Sequence, residues 1–143
     1  MRPPHSAVAA LYEERIARYT SLSVIEVAAE PLTGGDTVAR RRDAERLRAR
    51  IPDRARRVAL TPEGRASRSD ADFASRVTRW VDDPRPACFV IGGAAGLERE
   101  FIDECEEQLS LGPLTLPHQL ARVVLAEQIY RALATRAGHP YAH

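Results

Sequence analysis

Apolar positions along the chain follow two rhythms. Val8, Leu11, Tyr12, Ile16 and Tyr19, with Arg15 among them, recur at helical spacing and predict a helix over 6–19. Paired prolines precede it, with Ser6 as a candidate cap. Residues 22–28 are rich in β-branched side chains and predict a strand, followed by a loop with Gly34-Gly35. A helix is expected over 37–50, with Asp36 as its N-cap and Pro52 marking its exit. A short strand over 57–61 leads into a Pro62-Glu63-Gly64 turn. Phe73, Val77 and Trp80 line one side of a helix over 70–82. Ala87-Cys-Phe-Val-Ile91 is an unbroken apolar run, expected to be a strand buried on both faces. The turn Gly92-Gly-Ala-Ala-Gly96 then opens a helix over 98–108, and a short strand follows at 109–111. The last helix, over 117–136, carries Leu120, Val123, Val124, Ile129, Tyr130 and Leu133 and stops at Gly138. Such alternation predicts a three-layer α/β fold with a mainly parallel sheet.

The chain of 143 residues suits a single domain, 1–143, that folds without disulfide or metal. Its 44% hydrophobic and 29% charged residues decide against disorder. No apolar run approaches a membrane span of roughly 18 residues. The N-terminus has no apolar core of a signal peptide, and two cysteines make no disulfide framework, so a cytoplasmic location is expected.

Charge changes the picture through its distribution. The net charge is only +1, and every basic residue is Arg. Arg40–Arg57 holds nine Arg against three acids, whereas Glu98–Glu107 holds six acids against one Arg. One edge of the molecule is expected to be basic, with phosphate neutralisation weighed against an ordinary solvated face, and another edge acidic. No aromatic interleaves with the basic block, so it does not form a stacking platform.

Three segments could carry chemistry. The glycine turn at 92–96 allows close backbone approach to a ligand, but it is neither a P-loop nor a dinucleotide fingerprint. Leu109-Ser-Leu-Gly-Pro-Leu-Thr-Leu-Pro-His118 is an apolar loop, expected to be packed inside or to cover a ligand. The 117–136 helix is read equally as core or as a dimer face. Arg122 and Glu127 lie five apart, a poor intrahelical spacing, and could pair with each other or with a partner. Cys88 and Cys105 read as structural, and the four His have no metal-ligand spacing, so no metal is expected.

The order of Phe89-Val-Ile-Gly-Gly-Ala-Ala-Gly-Leu97, Leu109–His118, Arg122-Val-Val-Leu-Ala-Glu-Gln-Ile-Tyr-Arg131 and His139-Pro-Tyr141 resembles a known family. It is similar to the ribosomal large-subunit pseudouridine methyltransferases, the RlmH family, of the SPOUT or α/β-knot superfamily. Val58-Ala-Leu-Thr-Pro-Glu-Gly-Arg65 and the first helix align upstream. The resemblance implies a trefoil knot spanning about 87–137. It implies S-adenosylmethionine held by Leu60, Gly92, Leu111, Gly112, Pro113, Leu114, Thr115 and Leu116. It implies a homodimer through the 117–136 helix, with an active site shared between subunits. It implies methyl transfer to N3 of a pseudouridine in 23S rRNA on the assembled ribosome. Arg131, His139 and Tyr141 become the candidates for holding the base.

The chain departs from the family pattern in three places. Ala94-Ala95 replaces Pro-Glu in the glycine turn, and Ala142 intrudes into a His-Pro-Tyr-His tail. The family's first strand has no counterpart before Met1-Arg-Pro-Pro. These departures motivate an alternative, a dimeric RNA-binding protein of the same fold that has lost turnover. Methylation of another RNA is a third reading.

Overall fold

The computed structural model describes residues 4–140. In chain order they form α1 (His5–Ile16), a 3-10 turn (Leu32–Gly34), α2 (Asp36–Arg50), β1 (Arg56–Ala66) and α3 (Asp70–Asp82). β2 (Ala87–Val90), α4 (Arg99–Glu104), β3 (Glu107–Ser110) and α5 (His118–Arg136) follow. The fold is α/β with a parallel sheet of order β2-β1-β3. Among the described residues, no helix is long and apolar enough to cross a membrane. Contacts divide the chain into two compact units.

One unit comprises residues 24–66 and 85–118 and contains the sheet, α2 and α4. Val58 stands opposite Phe89 on one side and Glu107 on the other, and Ala59 opposite Val90 and Gln108. Ala44, Ile51, Ala55, Ala59, Val90, Phe101, Ile102 and Cys105 close one apolar cluster over the sheet. The predicted turn at 62–64 lies within β1, which does not end there. Leu60 and Arg65 both pair with Leu109, so residues 61–64 form an excursion and the strand then resumes. At Gly64 a Cβ would lie 2.7 Å from the Gln108 carbonyl carbon and 2.8 Å from the Leu109 nitrogen. Backbone presses on backbone, and only glycine fits.

Four expectations are corrected here. Residues 22–28 form no strand, and Leu22, Val24 and Ile25 are exposed. β-propensity reflects packing against neighbouring strands, and this segment has no strand beside it. Its end is fixed on α2 instead: the Glu30 N–H donates to Asp43 Oδ1 at 2.9 Å, and Arg46 Nη1 to the Ala28 carbonyl at 3.1 Å. The apolar run at 87–91 is not buried on both faces. Only Val90 is fully buried, because β2 is an edge strand of this sheet. The helix expected over 98–108 spans only Arg99–Glu104, since Cys105 is extended and 107–110 joins the sheet beside β1. Asp36 does not cap α2. It is the first helical residue, and Gly35, at φ +93°, holds the cap position.

The other unit comprises residues 4–23, 67–84 and 119–140, and contains α1, α3 and α5. α3 begins where Ser69 Oγ accepts the Asp72 N–H at 3.1 Å, while Asp72 Oδ2 accepts the Arg68 N–H. Its buried side carries Phe73, Val77 and Trp80, as its periodicity predicts, with Phe73 and Trp80 packed edge to face. α1 starts after Pro4, and Ser6 lies within it. α5 ends in two reverse bonds, Gly138 N–H to Thr135 O and His139 N–H to Ala134 O, with Gly138 at φ +75°. On α5 the fully buried residues are mostly alanines, with Leu125 and Leu133. Leu120 is exposed, and Val123, Val124 and Ile129 are only half-buried.

Candidate functional site

Parallel strands deliver their C-terminal ends to one edge of a sheet, where α/β folds bind ligands. Here that edge gathers residues distant in sequence. Leu60 of β1 is level with Leu109 of β3, and Ala59 with Val90 of β2. Gly92 and Leu111 therefore follow directly beyond the ends of β2 and β3.

The loop 111–116 is shaped by Ser110. Its hydroxyl accepts the Gly112 N–H at 3.0 Å and donates to the Gly112 carbonyl at 2.8 Å. Gly112 sits at φ +132°, and nothing lies within 4 Å of where its Cβ would be. The loop thus presents bare backbone to open space. Leu114 is 78% exposed, while Leu111 and Leu116 are half-buried. The loop therefore does not pack inside. It is an open apolar surface with no charged residue, suited to a flat apolar ring and not to a phosphate.

The turn at 92–96 is closed by the Gly96 N–H on the Gly93 carbonyl at 3.0 Å. A Cβ at Gly92 would strike the Gly96 carbonyl carbon at 2.7 Å. Glycine is required there by the turn itself. Arg40 Nη1 donates to the Ala95 carbonyl at 3.2 Å and ties the turn to α2.

The basic and acidic blocks do not form opposite edges. They meet within the sheet-containing unit, where Arg48, Arg56 and Arg57 pair with Glu98, Glu104 and Glu107. Arg48 binds Glu104 at 2.9 Å and Glu98 at 3.4 Å, and Arg57 reaches Glu104 at 3.6 Å. Arg56 pairs with Glu107, and Arg42 and Arg46 both hold Glu30. The hydrogen bond from Arg48 draws the Glu104 carboxyl below its ordinary range, and that from Arg42 does the same for Glu30. The Thr61 hydroxyl lowers Glu63 in the β1 excursion. Burial raises both thiols, Cys105 to about 11, so neither is an activated nucleophile, consistent with their structural reading.

In the helical unit, a cleft of about 590 Å³ is lined by Asp70, Phe73, Gln128, Arg131, Thr135 and His139, among others. Two of the three candidates for holding a base, Arg131 and His139, thus meet in one cavity of ligand size. Tyr141 lies outside the described residues. Arg131 is held by Glu127, with Nε to Oε1 at 3.1 Å, and Gln128 Nε2 donates to Glu127 Oε2 at 3.0 Å. Glu127 therefore pairs with Arg131 one turn on, and Arg122 pairs with Glu13 of α1. His139 also bonds Tyr19, Oη to Nδ1 at 2.6 Å. Asp70, Gln128, Thr135 and Tyr19 escaped the reading of the sequence. Gln128 was visible as a polar position on α5, but nothing local ties Tyr19 to a residue 120 positions away.

A family model described as "Predicted SPOUT methyltransferase" matches residues 1–143. Proteins named ribosomal RNA large subunit methyltransferase H are similar over most of the chain. That of Gluconacetobacter diazotrophicus is 45% identical, covering 91% of this chain and 82% of its own. That of Anaeromyxobacter sp. is 42% identical, covering 91% and 84%. That of Gemmatimonas aurantiaca is 44% identical, covering 98% and 93%. With the whole chain matched and a parallel sheet bearing glycine and apolar loops at its C-terminal edge, the protein belongs to the SPOUT methyltransferase family.

Proposed function

We propose that this chain methylates ribosomal RNA, using S-adenosylmethionine to modify N3 of a pseudouridine in 23S rRNA on the assembled ribosome, in the cytoplasm. The observation that carries the reading is the open apolar loop 111–116 beside Leu60 and Gly92, at the C-terminal edge of a parallel sheet. The names of its relatives, at 42–45% identity, support RNA of the large subunit as substrate.

The cofactor supplies an electrophilic methyl group on a sulfonium centre. Leu60, Gly92 and Leu111–Leu116 would hold it, with leucines against the adenine and backbone groups against its polar edge. Catalysis then rests on positioning: N3 must lose its proton and lie in line with the methyl group. Arg131 and His139 supply donors that hold the nucleotide, with Tyr141 the third candidate.

The proposal includes a homodimer through α5. Leu120 of α5 and Val8 and Leu11 of α1 are exposed apolar side chains of the kind an interface covers. It also includes the family's knot over about 87–137 and an active site shared between subunits.

The test is transfer of labelled methyl from S-adenosylmethionine to ribosomes that lack the modification, followed by mapping of the modified nucleoside. Label at N3 of one 23S pseudouridine is expected. Label elsewhere overturns the substrate. Ribosome binding without transfer would favour the non-catalytic RNA-binding reading, which the Ala94-Ala95 turn motivates.

A further inference from the structure

His139 has one ring nitrogen engaged. Tyr19 Oη lies 2.6 Å from Nδ1, with the two rings 5.6 Å apart at 51°. Which group donates decides the chemistry of the other ring nitrogen. The imidazole can accept the phenol O–H at Nδ1 or donate to the phenol oxygen from there. N–H···O bonds centre near 2.9–3.0 Å, whereas O–H donors make shorter bonds. A 2.6 Å contact therefore fits the phenol O–H donating to an unprotonated Nδ1.

Tyr19 is also held in place. It packs on Tyr130 at 6.3 Å, Tyr130 packs on Tyr12 at 6.0 Å, and Arg15 lies over both Tyr12 and Tyr130. The His139 backbone is fixed by its N–H bond to Ala134 O, beyond Gly138.

We infer that Tyr19 is a positioning residue that fixes neutral His139 as its Nε2–H tautomer, so that the imidazole donates a hydrogen bond to the substrate and does not remove a proton from it. The Tyr19 O–H donates to Nδ1, and the ring proton stays on Nε2. His139 lines the cleft with Arg131, Gln128 and Thr135. Three of these carry N–H donors, though Arg131 and Gln128 also donate to Glu127, and Asp70 adds a carboxylate to the same lining, so the cleft suits a ligand edge that offers both carbonyl acceptors and an N–H, such as a nucleobase. The removal of the N3 proton then belongs to another group. This inference rests on the reading of the cleft as a substrate site.

The test has two separable parts. Long-range proton–nitrogen NMR of the full chain, above the ordinary imidazole range, reports the tautomer without substrate. We expect His139 Nδ1 to resonate as an acceptor nitrogen and Nε2 as an N–H, and Tyr19→Phe to shift both toward a mixture. A protonated Nδ1, or no change in Tyr19→Phe, overturns the inference whatever the enzyme does. Methyl transfer then tests the role. Tyr19→Phe should raise KM by roughly two- to tenfold, the value of one hydrogen bond, with kcat little changed. His139→Gln, which keeps a side-chain N–H, should recover most of the loss seen in His139→Ala. A collapse of kcat in both His139 variants would make the ring the proton acceptor and overturn the inference. A wild-type chain with the expected tautomer but no methyl transfer would overturn the functional reading, and with it the donor role.

Discussion

Arg122 grips Glu13 with two parallel bonds, Nε to Oε2 at 2.9 Å and Nη2 to Oε1 at 3.0 Å, joining α5 to α1 across 109 positions of sequence. Both side chains are mostly buried, at 22% and 16% exposure, and the fork geometry makes such pairs strong. Glu13→Gln should cost about 1–2 kcal/mol in urea denaturation, and Arg122→Met a similar amount. A double-mutant cycle should return a coupling near 1 kcal/mol. Additive losses would show that the fork contributes nothing beyond packing.

Acid should loosen the sheet-containing unit first. The carboxyls of Glu30 and Glu104 are lowered by hydrogen bonds from Arg42 and Arg48. The folded state therefore binds protons less readily than the unfolded one. The stability they contribute is present above the ordinary carboxylate range and is lost as pH falls through it and below. Urea midpoints measured from neutral to acid pH should fall, and Glu104→Gln together with Glu30→Gln should flatten that fall.

Alkali should act through Cys105. Its thiol is pushed up from 9.0 to about 11, chiefly by burial. The folded state keeps a proton that the unfolded chain releases, so stability declines as pH rises from about 9 towards 11. The full effect is on the order of 2 kcal/mol, and Cys105→Ala should remove most of the decline, leaving the smaller part that the raised Cys88 thiol contributes. A disulfide reagent at neutral pH should titrate Cys105 only on denaturation.

Leu114 separates folding from binding. At 78% exposure it contributes little to packing, so Leu114→Asp should move stability by no more than about 0.5 kcal/mol. Calorimetric titration of S-adenosylmethionine should nevertheless show a loss of roughly tenfold or more, the value of one apolar contact at the ligand. Unchanged affinity would place the cofactor elsewhere.

The Arg40-Arg41-Arg42 triplet is a weaker RNA handle than its charge suggests. Arg42 is committed to Glu30, and Arg40 to the Ala95 carbonyl. Replacing all three with Ala should flatten the salt dependence of ribosome binding by about one phosphate contact, not three, and should lower stability as well. A loss of three contacts would return the block to a free phosphate-binding face.

The helices were legible because their apolar spacing is local. Phe73, Val77 and Trp80 announce α3 and its buried side, and Gly138 announces the end of α5. The strand expected at 22–28 is absent for the converse reason. Its residues favour a sheet, but a sheet needs a neighbour, and neighbours are not written in a strand's own composition. The two charge blocks are plain in the sequence but their placement is not, because Arg48 and Glu104 meet only through the fold. The loop 109–118 is legible as unusual, since the nine residues 109–117 before His118 carry no charge and demand an explanation. By spacing Tyr19 is one more apolar position of the helix expected over 6–19; it lies beyond the end of α1, and its bond to His139 exists only in three dimensions.

Gly64 acts as a spacer gauge. β1 passes Leu109 twice, once with Leu60 and once with Arg65, and the gap between the passes is set by the width of a hydrogen atom at position 64. A methyl group there has no flexible side chain to push aside, only the peptide joining Gln108 to Leu109. The displacement would travel along β3 to Ser110, whose hydroxyl shapes the loop beyond it. Within the excursion Pro62 and Glu63 are exposed and can vary, whereas Thr61 is buried. Gly64 is geared to the far loop, so a single carbon atom at the crossing would be felt where the leucines stand open.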